Sequence, residues 1–143
     1  MPEADNRRLV EEAYEALNAH DLKRYGNVID DSYVVETVAS ATPIRGREAV
    51  NEFIATYFRA FPDFHQDIEQ MIASGDWVVS RWRATGTQKG EFNGFPPTNR
   101  KVSVRGCTVS EIRNGRIVKT FISYDQLAIL QQLGIAKAAG AGS

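Results

Sequence analysis

The spacing of apolar residues predicts three helices in the first 62 residues of the chain. From Asp5 to about Ala19, apolar side chains recur at helical spacing opposite a charged face; they are Leu9, Val10, Ala13, Tyr14 and Leu17. A short second helix follows, with Asp21 as its N-cap and an end near Gly26. The third helix ends before Pro62 and carries an apolar stripe formed by Val50, Phe53, Ile54, Tyr57 and Phe58.

Beyond Pro62 the apolar residues alternate with polar ones, which predicts strands. The four long candidates are FHQDIEQMIAS, DWVVSRWRATGTQKG, KVSVRGCTVSEIR and GRIVKTFISY, and a short extended piece, SYVVETV, precedes the third helix. The turns SGD at 74–76 and RNG at 113–115 are short enough to make the strands they join antiparallel. EFNGFPPTNR is too rich in Gly, Pro and Asn for a sheet and predicts a structured loop.

Together these elements predict an α+β fold, with three N-terminal helices packed on a strongly curved antiparallel sheet. A helix that crosses a curved sheet leaves a hollow at the open end, so we expect an enclosed ligand pocket there. Strand alternation predicts the side chains that face this pocket. In the last strand they are Val118, Thr120, Ile122 and Tyr124, and in the second long strand they include Trp82 and Gln88.

Composition adds a domain count and excludes some partners. With 143 residues, 43% hydrophobic and 24% charged, we expect one globular domain over residues 1–135 and a flexible tail over residues 136–143. A formal net charge of -1 provides no field that would draw the protein onto nucleic acid or a membrane. The chain shows no signal core and no apolar run of about 18 residues, so we expect a cytoplasmic location.

The side chains that could carry chemistry are few. His20 and His65 lack a second ligand at metal-binding spacing, which argues against a metal site. The glycines of GTQKGEFNG join two strands, whereas a dinucleotide fingerprint opens a helix, so no cofactor is expected. Acid–base chemistry by a carboxylate in an apolar pocket remains, with Glu36 or Asp125 as the candidate base.

Each of these carboxylates also has a structural interpretation. Glu36 stands on a short apolar strand and could form an ion pair with Arg45 or Arg47. Asp125 lies between the last strand and the helical segment QLAIL, where its side chain can cap the helix.

Four motifs, in order along the chain, carry a family resemblance. They are Phe-Pro-Asp at 61–63, Gly-Thr-x-x-Gly-Glu-Phe-x-Gly at 86–94, Pro-Pro-Thr at 96–98 and Gln-Leu-Gly at 132–134. With them the chain resembles the SnoaL-like polyketide cyclase, or ester cyclase, family from its first helix to Gly134. The resemblance implies the cone-shaped α+β fold of nuclear transport factor 2 (NTF2), usually as a homodimer or higher homo-oligomer. It also implies a cofactor-free aldol condensation on a polyketide ester, with an aspartate as acid or base.

The chain departs from this family at the residues that carry the reaction. The family pattern ends its last strand in His-Trp-Asp, and its histidine and aspartate match Thr120 and Ile122 here. Gln88 replaces the histidine of the family's Gly-Thr-His, and Glu36 replaces a histidine often seen on the early strand. Asp125 matches the second, helix-starting aspartate of the pattern, which is not the catalytic one.

The first hypothesis is an apolar pocket for a polyketide-like or other hydrophobic small molecule, with cofactor-free aldol cyclisation or isomerisation of an enolisable carbonyl. Glu36 or Asp125 would be the base, while Gln88 and Tyr124 would donate hydrogen bonds to the enolate. The other expected pocket residues are Trp82, Thr120, Ile122, Phe92, Phe95 and Tyr14. The alternatives are a pseudo-enzyme or small-molecule binding module without the catalytic pair, and a dimerisation domain without an enclosed cavity.

Overall fold

The computed structural model describes residues 2–136. Its helices are α1 (Pro2–Asn18), α2 (Leu22–Gly26), α3 (Arg47–Ala60) and α4 (Gln126–Gln132). Its strands are β1 (Ile29–Thr37), β2 (Ile44–Arg45), β3 (His65–Ser74), β4 (Trp77–Thr87), β5 (Lys101–Arg113) and β6 (Arg116–Tyr124). The three N-terminal helices and the four long strands agree with the prediction. The predicted tail at 136–143 lies, apart from Ala136, outside the described residues.

All six strands of this region form one sheet in the order β2-β1-β6-β5-β4-β3. Neighbouring strands are antiparallel except β1 and β6, which pair in parallel. Short turns could not predict this pair, because β1 and β6 come from opposite ends of the chain and no hairpin joins them. Their pairing brings the N-terminal and C-terminal parts of the chain into one layer. No helix within residues 2–136 is long and apolar enough to cross a membrane.

Helix α1 is fixed to the edge of the sheet by its last residue. The Asn18 side chain donates to the Gln66 carbonyl at 2.9 Å and accepts from the Gln66 amide at 2.8 Å. Because β3 is an edge strand, these two bonds satisfy backbone groups that would otherwise lack a partner in the sheet. The same helix buries an apolar face that consists of Val10, Ala13, Tyr14 and Ala16.

The two predicted hairpin turns are confirmed by their backbone angles. Asn114 and Gly115 have φ values of 52° and 72°, as a two-residue turn between twisted antiparallel strands requires. Gly75, in the turn between β3 and β4, has a φ of 56°. Asparagine and glycine adopt these angles with little steric cost, so the local sequence fixes both turns.

A bulge in β6 changes the expected alternation of side chains. Ile117 pairs with Ile112 of β5, whereas Lys119 pairs with Glu111, so Val118 between them has no partner. Ile117 is consequently buried and lies on the inner face, which makes the prediction that Val118 faces inward wrong. The extra residue reverses the alternation only on its N-terminal side. The inward positions predicted beyond it are confirmed, namely Thr120, Ile122 and Tyr124.

The loop between β4 and β5 is organised around Gln88. This side chain is fully buried, and its amide nitrogen donates to three loop carbonyls while its oxygen accepts from Thr98. The carbonyls belong to Gly90, Phe95 and Pro96. Gln88 therefore connects the ends of the loop, and its side-chain amide forms its hydrogen bonds with loop residues.

Helix α4 begins at a cap that the sequence predicted. Asp125 has extended backbone angles, and its carboxylate accepts a hydrogen bond from the Ala128 amide at 3.0 Å. Amide groups in the first turn of a helix have no partner within the helix, and a capping side chain supplies one.

We expect Asp125→Ala to lower the free energy of unfolding by about 1 kcal/mol, because it removes this cap. Urea unfolding of the variant and the parent measures the difference. Asp125→Asn is the control, since asparagine is also a good N-cap and should retain most of the stability. An alanine variant of unchanged stability would contradict the capping role.

Candidate ligand-binding cavity

Between the helices and the inner face of the sheet lies a cavity of about 160 Å³. Its walls combine side chains from α1 and α3 with side chains from β1, β4, β5 and β6. An apolar cavity of about 150 Å³ in another protein holds one benzene molecule, so this space accepts roughly one aromatic ring without rearrangement. Several α3 side chains in the wall are only half-buried, which leaves that side able to adjust.

Every tyrosine of the chain lines this cavity. The sequence contains five tyrosines, and the lining includes Tyr14, Tyr25, Tyr33, Tyr57 and Tyr124. Each contributes an aromatic wall and one hydroxyl that needs a hydrogen-bond partner when it is buried. The hydroxyls are paired in three separate groups.

The first group joins α2, β1 and β6. Tyr33 donates to the Thr120 hydroxyl at 2.7 Å, and the Tyr25 hydroxyl lies 2.9 Å from that of Tyr33. Because Tyr33 has a single proton and gives it to Thr120, Tyr25 must be the donor to Tyr33. The chain of donors therefore ends at Thr120, in the cavity wall.

The second group joins α1 to β4 and β5. Tyr14 lies 2.7 Å from the Ser80 hydroxyl, which in turn lies 3.5 Å from the Thr108 carbonyl. The Trp82 indole nitrogen donates to the Thr108 hydroxyl at 2.8 Å. These bonds hold the tyrosine and the tryptophan rings against the inner face of the sheet.

The third group joins α3 to the end of β6. The hydroxyls of Tyr57 and Tyr124 lie 2.7 Å apart, and Tyr124 also interacts with the Thr37 side chain. The Tyr57 ring makes an edge-to-face contact with the ring of Phe92. Phe92 does not line the cavity.

Burial controls the protonation of these tyrosines. Loss of hydration is the largest cause in each case and raises the pKa of all five above the usual value of 10.0. Because the phenols remain protonated at neutral pH, they act as uncharged hydrogen-bonding groups and supply no base.

The predicted carboxylates do not reach the cavity. Glu36 lies on the opposite face of β1, where its carboxylate is 3.6 Å from Lys119 Nζ; the predicted partners Arg45 and Arg47 do not contact it. Asp125 is exposed and caps α4. Among the described residues that line the cavity, none is an aspartate, glutamate, histidine, lysine or arginine. Within residues 2–136, no group of His, Cys, Asp or Glu side chains could hold a metal ion.

The structure brings together half of the predicted site residues. The members that line the cavity are Tyr14, Trp82, Thr120, Ile122 and Tyr124. Phe95 is 40% exposed in the loop, and Gln88 is enclosed by that loop, so neither faces the cavity. Alternation placed Gln88 inward, but β4 ends at Thr87 and the Gln88 amide group forms its hydrogen bonds within the loop.

Several polar residues of the wall were not predicted from the sequence, and Ser110 and Gln66 are two of them. Ser110 is 3% exposed and lines the cavity, and the half-buried Gln66 lines it as well. Ser110 had a detectable signal, because it occupies an inward position of β5 between Thr108 and Ile112. Gln66 had none, since β3 is polar along most of its length.

The Trp82 ring packs directly on the backbone of Gly106. The two residues are cross-strand partners, and a Cβ on Gly106 would lie 2.3 Å from the ring. Only glycine therefore permits this position of the indole. Trp82 and Tyr124 also border an open surface groove, together with Arg81, Arg105 and Cys107, among others.

A curved sheet covered by helices, with an apolar cavity between the layers, defines a cone-shaped α+β protein with an internal binding space. The family model for SnoaL-like polyketide cyclases matches residues 7–133. The chain therefore belongs to the SnoaL-like polyketide cyclase family, and its fold is NTF2-like. A comparison with curated protein sequences finds no match.

Solved structures agree with this assignment. A proposed SnoaL-like polyketide cyclase from Jannaschia sp. CCS1 superposes with a TM-score of 0.87 at 23% identity, over 94% of each chain. IdmH from Streptomyces antibioticus, a proposed polyketide cyclase, superposes with a TM-score of 0.80 at 31% identity, over 90% of this chain and 98% of its own. AclR, a proposed hydroxylase from Streptomyces galilaeus, has a TM-score of 0.85 and 23% identity over 97% of this chain and 87% of its own.

The tyrosine cluster predicts an unusual alkaline titration. In the folded protein the pKa of each tyrosine lies above 10.0, the value expected in the unfolded chain. The protonated tyrosines therefore contribute their full share to the free energy of unfolding below about pH 10, and this contribution is lost as the pH rises further. We expect the tyrosinate absorbance of all five residues to appear in one cooperative step with unfolding, as followed by circular dichroism. Tyrosinate formed by a still-folded protein near pH 10 would contradict the burial of that residue.

Proposed function

We propose that this chain binds an uncharged, flat hydrophobic small molecule, polyketide-like in character, in the cavity between its helices and its sheet. The observation that carries the proposal is the lining of the cavity. Its walls are aromatic and aliphatic with hydroxyl groups, and none of the described residues that line it has a charged side chain. Membership of the SnoaL-like polyketide cyclase family supports a small-molecule ligand of this kind.

The lining favours a neutral ligand over an ionised one. Moving a charge from water into a site without a partner of opposite charge costs far more than moving a neutral polar group. The Thr120 hydroxyl accepts from Tyr33 and can donate its own proton to a carbonyl or phenol oxygen, and such oxygens are the polar groups of polyketide rings. Flat rings also match the aromatic walls, where stacked and edge-on contacts are favourable.

Binding fits the cavity better than carboxylate catalysis does. Proton abstraction needs a base within hydrogen-bond reach of the substrate, and Glu36 and Asp125 lie outside the wall. Thr120 and Ile122, at the family's histidine and aspartate positions, do line the cavity but cannot take a proton at neutral pH. We therefore favour a binding module or pseudo-enzyme over a cyclase that acts through these carboxylates.

The cavity volume limits the size of the small molecules that are suitable for a first binding experiment. A single ring fits the observed volume, and a second ring requires small shifts of the half-buried aromatic side chains Phe53 and Phe58 of α3. Such rotamer changes are common when a ligand enters a site.

We expect the protein to bind 2-naphthol and to bind 2-naphthoate at least about tenfold more weakly, because the anion loses its hydration without gaining a partner. Isothermal titration calorimetry at neutral pH measures both affinities. Ala84 lies in the wall, so Ala84→Leu should fill part of the cavity and weaken 2-naphthol binding about tenfold.

Ala49→Leu is the matched control for this experiment, since Ala49 is an exposed residue of α3 and does not line the cavity. Its affinity should stay within about twofold of the parent. Equal binding of the neutral and the charged probe would contradict a neutral cavity.

The histidine and aspartate that the family resemblance implies can be introduced at positions 120 and 122. We expect the unmodified protein not to accelerate the aldol cyclisation of a polyketide ester, and Thr120→His with Ile122→Asp to introduce measurable turnover. Chromatographic detection of the cyclised product, against the reaction without protein, measures the rate.

The control is Thr120→His with Ile122→Asn, which has a similar shape but no carboxylate and should remain inactive. Thermal unfolding of both double variants shows whether they fold. Turnover by the unmodified protein would refute the pseudo-enzyme interpretation.

A further inference from the structure

Two hydroxyl groups lie side by side in the wall of the cavity. Ser110 of β5 and Thr120 of β6 are direct cross-strand partners, and both line the cavity. They are 3% and 4% exposed. Side chains at directly opposite positions of an antiparallel pair have Cβ atoms about 4.5–5.5 Å apart on the same face of the sheet. Both hydroxyls can therefore reach a single atom of a ligand placed between them.

Both groups retain a donor that no described residue of the protein uses. Thr120 accepts the hydrogen bond from Tyr33, which leaves its own O–H free. Among residues 2–136, neither the Thr120 O–H nor the Ser110 hydroxyl donates a hydrogen bond to the protein, and both residues line the cavity. A hydroxyl that faces the cavity in this way can bond to a molecule that enters it.

We propose that Ser110 and Thr120 together donate hydrogen bonds to one carbonyl oxygen of the ligand. The ligand class is then an uncharged ring ketone rather than a hydrocarbon of the same shape. This inference rests on the proposed function and identifies the polar group that the cavity selects.

The geometry of a carbonyl suits this pair. A carbonyl oxygen accepts two hydrogen bonds through its two lone pairs, at about 2.7–2.8 Å from hydroxyl oxygens. Tyr25 and Tyr33 form a chain of donors that ends on Thr120, and such a chain makes the terminal O–H a stronger donor. An apolar ring attached to the carbonyl would contact the neighbouring Ile117 and Ile122 side chains.

The test compares 1-tetralone with tetralin, which has the same bicyclic frame without the carbonyl. Calorimetry on the full chain should show 1-tetralone bound about tenfold more tightly than tetralin. Ser110→Ala should weaken 1-tetralone binding about fivefold and leave tetralin binding within about twofold. Ser103→Ala is the matched control on the same strand, because Ser103 is exposed and bonded to Arg83 outside the cavity.

A spectroscopic signature distinguishes a bound carbonyl from a change in packing. The infrared carbonyl stretch of bound 1-tetralone should lie at lower frequency than in an apolar solvent, and Ser110→Ala should return part of this shift. Thr120→Val would also remove the acceptor of Tyr33, so Thr120→Ser is used instead. It keeps the hydroxyl and should keep both the preference and the shift.

Thermal unfolding of the ligand-free protein provides a further check. Because the Ser110 hydroxyl has no hydrogen-bond partner among the described residues, Ser110→Ala should not lower the melting temperature. A lowered melting temperature, together with an unchanged preference for 1-tetralone, would assign the serine a structural role and overturn the inference.

The two proposals fail in different ways. If tetralin binds and 1-tetralone gains nothing over it, the carbonyl site is refuted while the cavity remains a binding site. If neither compound binds the unmodified protein, the proposed function fails, and the carbonyl site fails with it.

Discussion

The hydrogen bond from Tyr33 to Thr120 joins the N-terminal and C-terminal parts of this fold within the wall of the cavity. It connects β1 to β6, the parallel pair of the sheet, at a point where both residues are almost completely buried. Parallel pairing has no hairpin to enforce it, so side-chain bonds between the strands help to fix its register. Removal of the Tyr33 hydroxyl would leave Thr120 without this donor, and removal of the Thr120 hydroxyl would leave the Tyr33 proton without its acceptor, which makes the bond a constraint on what these positions can hold.

The binding function that we propose is compatible with membership of the SnoaL-like polyketide cyclase family. At the positions that the family resemblance matches to a histidine and an aspartate, the chain has a threonine that accepts from a tyrosine and an isoleucine in the wall. Neither residue is titratable at neutral pH, and five phenol rings line the same space. Most polar side chains of the described lining carry hydroxyls, and Gln66 adds an amide; both kinds of group can orient a ligand oxygen but are not bases at neutral pH.

Local sequence patterns predicted most of the elements, and long-range contacts decided the rest. The apolar stripe of α1, the Asn114–Gly115 turn and the Asp125 cap each depend on a few neighbouring residues, so they could be inferred directly. The bulge at Val118 and the pairing of β1 with β6 depend on partners far away in the chain. Gln88 was misplaced for the same reason, because its bonds to the 90–98 loop are invisible to alternation. Site residues therefore proved harder to predict than the fold.

The Trp82 indole, which packs on the backbone of Gly106, lines two separate spaces. Trp82 borders both the internal cavity and the open groove that includes Arg81 and Arg105. The indole is held there by its hydrogen bond to the Thr108 hydroxyl and by its packing on the Gly106 backbone. A side chain at position 106 would occupy the place of the ring. The absence of a side chain at Gly106 thus allows one indole to form part of the wall of both spaces.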